Sequence, residues 1–387
     1  MNPSFPGLLI RKERLVHDWS QQGLCQGICT VSYLSKIEHG KAVPGDDILA
    51  LLFSRLGVIW QTDEAAQRKA ANIVGSAYDA LFSADPKAED AAKQALDDNW
   101  ALCTQGPSLL DALLLGRYYL ERSDPLPTEC EDLLEGRQRT VYLYLEQRFS
   151  ELLSFDPSAF SCLVVGNDAY ANGRYTLATE LLQRGYDLAA RDGQLYLMLH
   201  CRMILGNCCS DLGDFERMLT HYRASMRMAE AVGHDDFAES IRYNIAATNL
   251  ERGNVQEAYA FFSEQPEKNV MSLHKYAICC EKLGKIEEAY KALDAAENAP
   301  CPYPDRALAL QLCELVRLRL TNKDYLHCSD YGDLLLSSFS KMRKTLPAGY
   351  ARFHLPWVIE WYKASRQYKQ ACELLQEFPA YGILSAF

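Results

Sequence analysis

Two groups of polar side chains in this sequence have the type and spacing to bind a partner. In the first group, Ser20 and Thr30 stand at the predicted starts of two short helices, where a hydroxyl accepts a hydrogen bond from a free backbone N–H group. The other free N–H groups and the positive end of the helix dipole suit a phosphate. These residues therefore indicate a surface that can bind phosphate groups.

The second group consists of asparagines. Asn167 and Asn207 each lie six residues before a glycine that is predicted to form a turn, and Asn244 lies nine residues before another. An amide both donates and accepts hydrogen bonds, so it can hold an extended peptide backbone without selecting its sequence. The matched spacing of Asn167 and Asn207 favours this role over that of two unrelated solvated side chains.

No motif in the sequence indicates catalysis or a bound cofactor. It has no P-loop, Gly-rich dinucleotide loop, HExxH pair or nucleophile elbow, and its eight histidines have no partnered Ser or Cys nucleophile. The fourteen cysteines include no CxxC pair, so they favour reduced core residues over a zinc site. We therefore expect neither an enzyme nor a metal or organic cofactor.

The charge is unevenly distributed along the chain. The net charge is −11, yet residues 1–60 hold six Lys or Arg against five Asp or Glu, which gives +1. The other residues carry 34 basic against 46 acidic side chains, which gives −12. If residues 1–60 form a DNA-binding head, a net charge of +1 gives a single head only weak affinity for DNA. The sequence therefore predicts a homodimer that presents two heads.

Helical periodicity runs through almost every segment, which predicts an all-α protein. No apolar stretch reaches the length of roughly 20 residues that spans a membrane. The first residues, MNPSFPGLLIRKERL, place the apolar run before the basic cluster, the reverse of a signal peptide. We therefore expect a cytoplasmic protein without a membrane partner.

An internal repeat organises the chain after about residue 160. Each unit has a helix, a turn glycine at 173, 213, 253 or 284, an aromatic or aliphatic residue two positions later, and usually a small residue three beyond it. This pattern resembles the tetratricopeptide repeat (TPR), in which hairpins of two helices stack to bury their apolar faces. The paired positions are Tyr175 and Ala178, Phe215 and Met218, Val255 and Ala258, Ile286 and Ala289, and, in two weaker units, Tyr325 and Cys328, and Tyr368 and Ala371.

The segment SQQGLCQGICTVSYLSKIEHGK (20–41) resembles the helix-turn-helix of the phage repressor (XRE, or Cro/CI) family, and the match extends without a gap over about 50 residues, from Ile10 to Val58. Cys29 stands where the family usually has the turn glycine, with Gly27 two residues earlier, so we expect a reshaped turn. Glu13 and Trp19 replace leucines of the family pattern, so the packing beneath the first helix must differ.

This resemblance implies that the third helix enters the major groove of DNA. Val31 suits a thymine methyl group, and Lys36 reaches guanine or a phosphate. It also implies a structural ion pair between Arg14 and Glu38. The candidate DNA-binding residues are Ser20, Gln21, Thr30, Val31, Ser32, Lys36, His39 and Lys41, whereas Tyr33, Leu34 and Ile37 belong to the core.

The TPR resemblance implies a concave groove lined by the first helix of each pair. Candidate peptide-binding residues counted onto this face are Asn167, Tyr170, His200, Met203, Asn207, Tyr243, Asn244 and His274. A repressor-type head joined to such repeats resembles the RRNPP family of Gram-positive bacteria, whose members are dimeric cytoplasmic receptors for short signalling peptides. Some relatives of this architecture bind response regulators instead, so a protein-binding TPR module is the alternative.

The sequence therefore predicts three segments. Residues 1–60 form a five-helix helix-turn-helix domain that binds a palindromic double-stranded DNA operator. Residues 61–160 form a helical segment leading into the array, with ALLLGRYYLERSD as a candidate degenerate repeat. Residues 161–387 form the TPR-like α-superhelix, which binds the short signalling peptide and holds the dimer together.

Overall fold

The computed structural model describes residues 4–122, 128–265, 268–301, 305–346 and 348–378. Every regular element in these ranges is a helix, which confirms the all-α class predicted from the sequence. None of the helices in this described part is long and apolar enough to cross a membrane. The chain divides into two compact units, Met1–Ser161 and Cys162–Phe387.

The first unit begins with four short helices, α1 Ser4–Val16, α2 Gln21–Cys25, α3 Val31–Glu38 and α4 Asp46–Arg55. The prediction of five helices within residues 1–60 was wrong in number, because the next helix begins only at Glu64. Asp63 fixes that start, since its side chain accepts a hydrogen bond of 2.8 Å from the backbone N–H of Ala66. The unit continues with α5 Glu64–Ser83, α6 Pro86–Asp98, α7 Trp100–Thr104, α8 Leu109–Tyr119, a 3-10 turn at Thr128–Leu133, α9 Gly136–Leu145 and α10 Phe149–Phe155.

The four head helices pack around one apolar core, whose fully buried members include Ile10, Leu34, Ile37 and Phe53. Gly7 brings α1 against α3, because a Cβ atom at this position would overlap the carbonyl oxygen of Ile37. The apolar face of α3 is therefore fixed against α1, which leaves its other face outside the core.

The turn between α2 and α3 follows the expected departure from the repressor pattern. Gly27 has a φ of 75°, so the left-handed residue lies two positions before Cys29. The two predicted helix caps are confirmed. The Ser20 hydroxyl accepts from the N–H of Gly23 at 3.0 Å, and the Thr30 hydroxyl accepts from the N–H of Tyr33 at 3.2 Å.

A buried ion pair ties α1 to the end of α3, as the resemblance implied. Arg14 Nε lies 2.7 Å from Glu38 Oε1, and Arg14 Nη2 lies 3.0 Å from Glu38 Oε2. A further guanidinium nitrogen donates to the carbonyl oxygen of Trp19 at 2.7 Å. These hydrogen bonds to Glu38 raise the pKa of Arg14, and the pair holds the last turn of α1 against the end of α3.

The second unit is a series of antiparallel helix pairs, and consecutive helices pack on one another. The turn glycines at 173, 213, 253 and 284 all have positive φ, from 70° to 85°, which confirms the predicted turns. Its helices are α11 Ala159–Ala171, α12 Tyr175–Asp192, α13 Leu195–Asp211, α14 Phe215–Ala231, α15 Asp235–Glu251, α16 Val255–Glu264, α17 Val270–Lys282, α18 Ile286–Ala296, α19 Arg306–Thr321, α20 Ser329–Thr345, α21 Ala348–Ala364 and α22 Tyr368–Glu377.

The predicted small positions lie at the contacts between helices. Ala178, Ala258 and Ala289 have no exposed surface, so the second helix of each pair approaches its neighbour closely. The fifth unit differs from the prediction, because a 3-10 turn at Tyr325–His327 precedes α20 and places Cys328 before the helix rather than within it. In the sixth unit Arg366, with a φ of 59°, takes the role of the turn glycine.

The contribution of the Arg14–Glu38 ion pair to the stability of the head can be tested by substitution. We expect Arg14→Met to destabilise it by about 3–5 kcal/mol, because Glu38 is then buried without a counter-charge. Hydrogen exchange should show faster exchange of the α1 and α3 amides. The double variant Arg14→Met, Glu38→Leu is the control and should recover much of the protection. Unchanged exchange in the single variant would contradict a stabilising role for this pair.

Candidate functional site

The first candidate surface is the outward face of α3. Val31, at the first turn, is 43% exposed although it is apolar, and Ser32 and Lys36 are exposed beside it. Ser20, Thr30, His39 and Lys41 are also exposed. The head therefore presents an apolar, a hydroxyl and a cationic side chain from one helix, with free backbone N–H groups at its start.

Gln21 differs from the other seven candidates because it is half-buried. Its amide nitrogen donates to Glu38 Oε2 at 2.7 Å, so the carboxylate already paired with Arg14 also fixes this side chain. The amide oxygen accepts no hydrogen bond within the described residues. A contact from Gln21 to DNA would therefore use this oxygen, or would require the amide to leave Glu38.

The second candidate surface is a cavity in the repeat unit with a volume of about 320 Å³. Six of the eight predicted groove residues line it, contributed by α11, α13 and α15. The far wall comes from the start of α21. The lining residues are Asn167, Tyr170, Met203, Ile204, Asn207, Ser210, Asp211, Tyr222, Tyr243, Asn244, Ala247, Thr248, Glu251, Lys275, Gly349, Tyr350 and Phe353.

The three asparagines meet in this cavity, where two of them form part of a hydrogen-bonded cluster. Asn207 Oδ1 accepts from the Tyr222 hydroxyl at 2.6 Å and from Asn244 Nδ2 at 3.3 Å. The amide oxygen of Asn207 is thereby occupied, and its NH₂ group remains to donate to a ligand carbonyl. Asn167 makes no hydrogen bond within the described residues, so both sides of its amide are available.

The close packing of α13 on α14 positions this cluster. A Cβ atom at residue 206 would overlap the ring of Tyr222, so glycine at this position lets the tyrosine lie flat against α13. The Tyr222 hydroxyl then reaches Asn207, one residue further along the helix.

A buried ionic cluster beside the asparagines was missed in the sequence. Arg352 of α21 is 6% exposed, and its guanidinium lies 3.3 Å from Asp211 Oδ1 and 2.9 Å from Glu251 Oε2. It also donates to the carbonyl oxygen of Ser210 at 2.9 Å. Arg352 thus connects α21 to the ends of α13 and α15. The partners are 101 to 142 residues apart in sequence, so no local pattern could identify them.

Burial dominates the electrostatics of the cluster. It raises the pKa of Asp211, an effect that Arg352 opposes through its charge and that the Tyr175 hydroxyl opposes by donating at 3.0 Å. Burial likewise raises the pKa of Glu251, again opposed by Arg352. Without the guanidinium, two buried carboxylates would lie close together with little compensation for their charge.

Lys275 is a second residue that sequence analysis missed. It lies nine residues before the turn glycine Gly284, as Asn244 lies nine before Gly253. This shared repeat position is a signal that could have identified it. Its ammonium group is buried against the ring of Phe353, 2.8 Å from the centroid, and burial holds the pKa of this lysine well below its usual value.

Two predicted residues lie away from the cavity. His200 packs edge-on against the ring of Phe237, with centroids 4.8 Å apart. His274 has no exposed surface and stacks on His354 at a centroid distance of 5.3 Å. Because His354 and Trp357 of α21 cover this side of α17, the neighbouring Lys275 faces the cavity instead of His274.

No cluster of three metal-ligating side chains occurs in the described ranges. Nine of the fourteen cysteines are buried as small core residues.

No protein-family model matches the chain. The chain is 23% identical over 271 residues to the transcriptional activator NprA of Geobacillus stearothermophilus, a match that covers 57% of this chain and 62% of the activator. The structure of a Rap protein complexed with competence and sporulation factor aligns over 81% of this chain and 97% of its own, with 15% identity and a TM-score of 0.57. This likeness shows a shared helical fold. The apo competence regulator ComR of Streptococcus vestibularis aligns over 78% of this chain with 16% identity and a TM-score of 0.30.

The buried histidines predict how stability depends on pH. Burial lowers the pKa of His354 to about 3 and holds that of His274 well below its usual value. An unfolded chain protonates histidine near pH 6.5, so below that pH the unfolded state binds more protons than the folded one. The stability contributed by the neutral rings is therefore complete above about pH 6.5, and it is lost as the pH falls towards about 3.

We expect His274→Phe to reduce this pH dependence, because phenylalanine takes up no proton on unfolding. Neither ring nitrogen of His274 has a hydrogen-bond partner in the described structure, so the substitution removes no hydrogen bond. Urea denaturation at pH 7.5 and pH 4.5 measures the difference. His327→Phe is the control, since His327 is exposed in the same unit. An equal loss of stability in wild type and His274→Phe would show that this ring does not titrate on unfolding.

Proposed function

We propose that the protein is a cytoplasmic, dimeric transcriptional regulator whose repeat array binds a short peptide and whose head binds a palindromic DNA operator. The observation that carries the proposal is the cavity in which Asn167, Asn207 and Asn244 come together from three successive inner helices. Amides whose free donors and acceptors face one cavity suit the backbone of an extended peptide. The RRNPP resemblance stated from the sequence supports the same assignment.

The head supports the DNA-binding part of the proposal. Val31, Ser32 and Lys36 are exposed on the helix that the repressor pattern assigns to the major groove, and both hydroxyl caps are in place. The likeness to a transcriptional activator over 57% of the chain points in the same direction. A head of net charge +1 needs a second copy for useful affinity, and a two-fold dimer matches a palindromic site.

A protein-binding module acting on a response regulator is the second candidate function. The fold shared with a Rap protein is compatible with it, whereas the solvated face of α3 has no evident role in it. Specific binding to DNA separates the two candidates.

Lys36 tests the docking on DNA. A duplex site is first selected from a random library with the full-length protein, and its affinity is then measured by fluorescence anisotropy. A base-edge contact is worth about 1–3 kcal/mol, so Lys36→Ala should weaken binding roughly ten-fold or more, with two chains bound per duplex. Lys12→Ala, an exposed lysine of α1, is the matched control. If no duplex is selected, or if Lys36→Ala binds as wild type, the proposed docking is wrong.

Asn167 tests the peptide site. Calorimetry of the full chain with peptides of about five to ten residues from the same genome should identify a ligand that changes operator affinity. Asn167→Ala should cost roughly 1–3 kcal/mol of peptide binding, because a backbone group of the peptide loses its partner. Asn167 is preferable to Asn207, whose removal would also free the Tyr222 hydroxyl.

The matched control is Asn172→Ala, which removes an exposed asparagine just beyond the same helix. Equal peptide affinity in wild type and Asn167→Ala would mean that the peptide binds elsewhere. If no peptide binds, the array is a protein-binding scaffold.

A further inference from the structure

Lys275 is a buried lysine without an anionic partner. Its side chain lines the cavity and the residue is 3% exposed. Within the described residues it makes neither a hydrogen bond nor an ion pair, and its ammonium nitrogen lies 2.8 Å from the centroid of the Phe353 ring. A cation–π contact is worth about 2 kcal/mol when desolvated, whereas burying an ammonium group without a counter-charge costs more.

The nearby carboxylates form no ion pair with Lys275. Asp211 and Glu251 are both bound to Arg352, and Asp211 also accepts from the Tyr175 hydroxyl. Glu251 acts on Lys275 only through its longer-range field. Both carboxylates on the cavity wall are therefore bound to Arg352, whereas the ammonium donors of Lys275 have no hydrogen-bond acceptor among the described residues.

An anionic group entering the cavity would supply the missing partner. A charge-assisted hydrogen bond to an ammonium group is about twice as strong as a neutral one, and the burial of Lys275 reduces the screening that would weaken it. Such a group would also restore the charged form of the lysine that burial disfavours.

The size of the cavity indicates which anion this is. A volume of about 320 Å³ lies at the lower limit of ligand sites, roughly 300–1,000 Å³, so it accommodates the end of a peptide rather than its whole length. Asn244 shares the repeat position of Lys275 in the preceding unit, and both side chains line the same cavity. The negatively charged end of a peptide is its C-terminal carboxylate.

We propose that Lys275 binds the C-terminal carboxylate of the peptide ligand, and so fixes the direction in which the peptide lies along Asn244, Asn207 and Asn167. This inference rests on the proposed function, because it assigns one end of the same ligand. It makes the site selective for peptides that terminate in the cavity over peptides that continue through it.

The test uses a synthetic library of random peptides of about seven residues without Asp or Glu, prepared both as free acids and as C-terminal amides. Excluding acidic residues leaves the C-terminus as the one carboxylate of each peptide. Each library is passed over immobilised full-length protein and the retained peptides are identified by mass spectrometry. Wild type should bind the free acid of a retained peptide roughly ten-fold or more tightly than its amide, since a charged hydrogen bond contributes about 1.5–3 kcal/mol.

Lys275→Met should lower the affinity of the acid to that of the amide, while Lys282→Met, an exposed lysine of the same helix, should keep the wild-type preference. The methionine replaces a buried ammonium group by an apolar chain of similar length, so thermal stability should be unchanged or higher. Should the variant not fold, the comparison of acid and amide on wild type decides alone.

Equal binding of acid and amide by wild type, or an intact preference for the acid in Lys275→Met, would overturn the assignment while leaving peptide binding in place. Retention of no peptide in either form would overturn the proposed function and this inference with it.

Discussion

The three contacts of Arg352 are the interaction on which the cavity depends. In a repeat array each unit normally contacts only its neighbours, yet this guanidinium joins α21 to the ends of α13 and α15, more than 100 residues earlier. A buried ion pair adds little net stability, but loss of one partner is costly because the other charge stays buried. Arg352 therefore fixes where α21 lies, and α21 supplies Gly349, Tyr350 and Phe353 to the cavity wall.

The head relies on the same kind of contact on a smaller scale. Arg14 joins α1 to the end of α3 through Glu38, and the same carboxylate accepts from Gln21 at the start of α2. In both units one arginine binds acceptors from separate segments of the chain, because a planar guanidinium has five donors in a fixed arrangement.

The features that could be predicted from the sequence are those that depend on the local geometry of the chain. The turn glycines, the hydroxyl caps at Ser20 and Thr30 and the small residues at Ala178 and Ala258 each follow from the conformation of a few adjacent residues. Counting from the turn glycines also predicted that the asparagines lie on one face, because equivalent positions of stacked hairpins share a face. The ion pairs of Arg352 depend on how distant helices meet, and no short-range pattern contains that information.

Counting from the turn glycines predicted His274 as a cavity residue, whereas the structure places Lys275 there. The difference shows the limit of this kind of prediction. Met203, Tyr243 and His274 each lie ten residues before a turn glycine, but only the first two line the cavity. In the third case α21 packs over α17 and covers His274 with His354 and Trp357.

The same packing brings Phe353 against Lys275, so the helix that hides the histidine also shapes the surroundings of the lysine. A ligand carboxylate at Lys275 would compete with the Phe353 ring for the ammonium group. A ligand shifts a conformational equilibrium only by its difference in affinity for the two states. α21 carries both Phe353 and Arg352, so a ligand bound to Lys275 acts directly on the position of this helix. A change in the position of α21 is therefore the conformational change to which ligand affinity is most directly coupled.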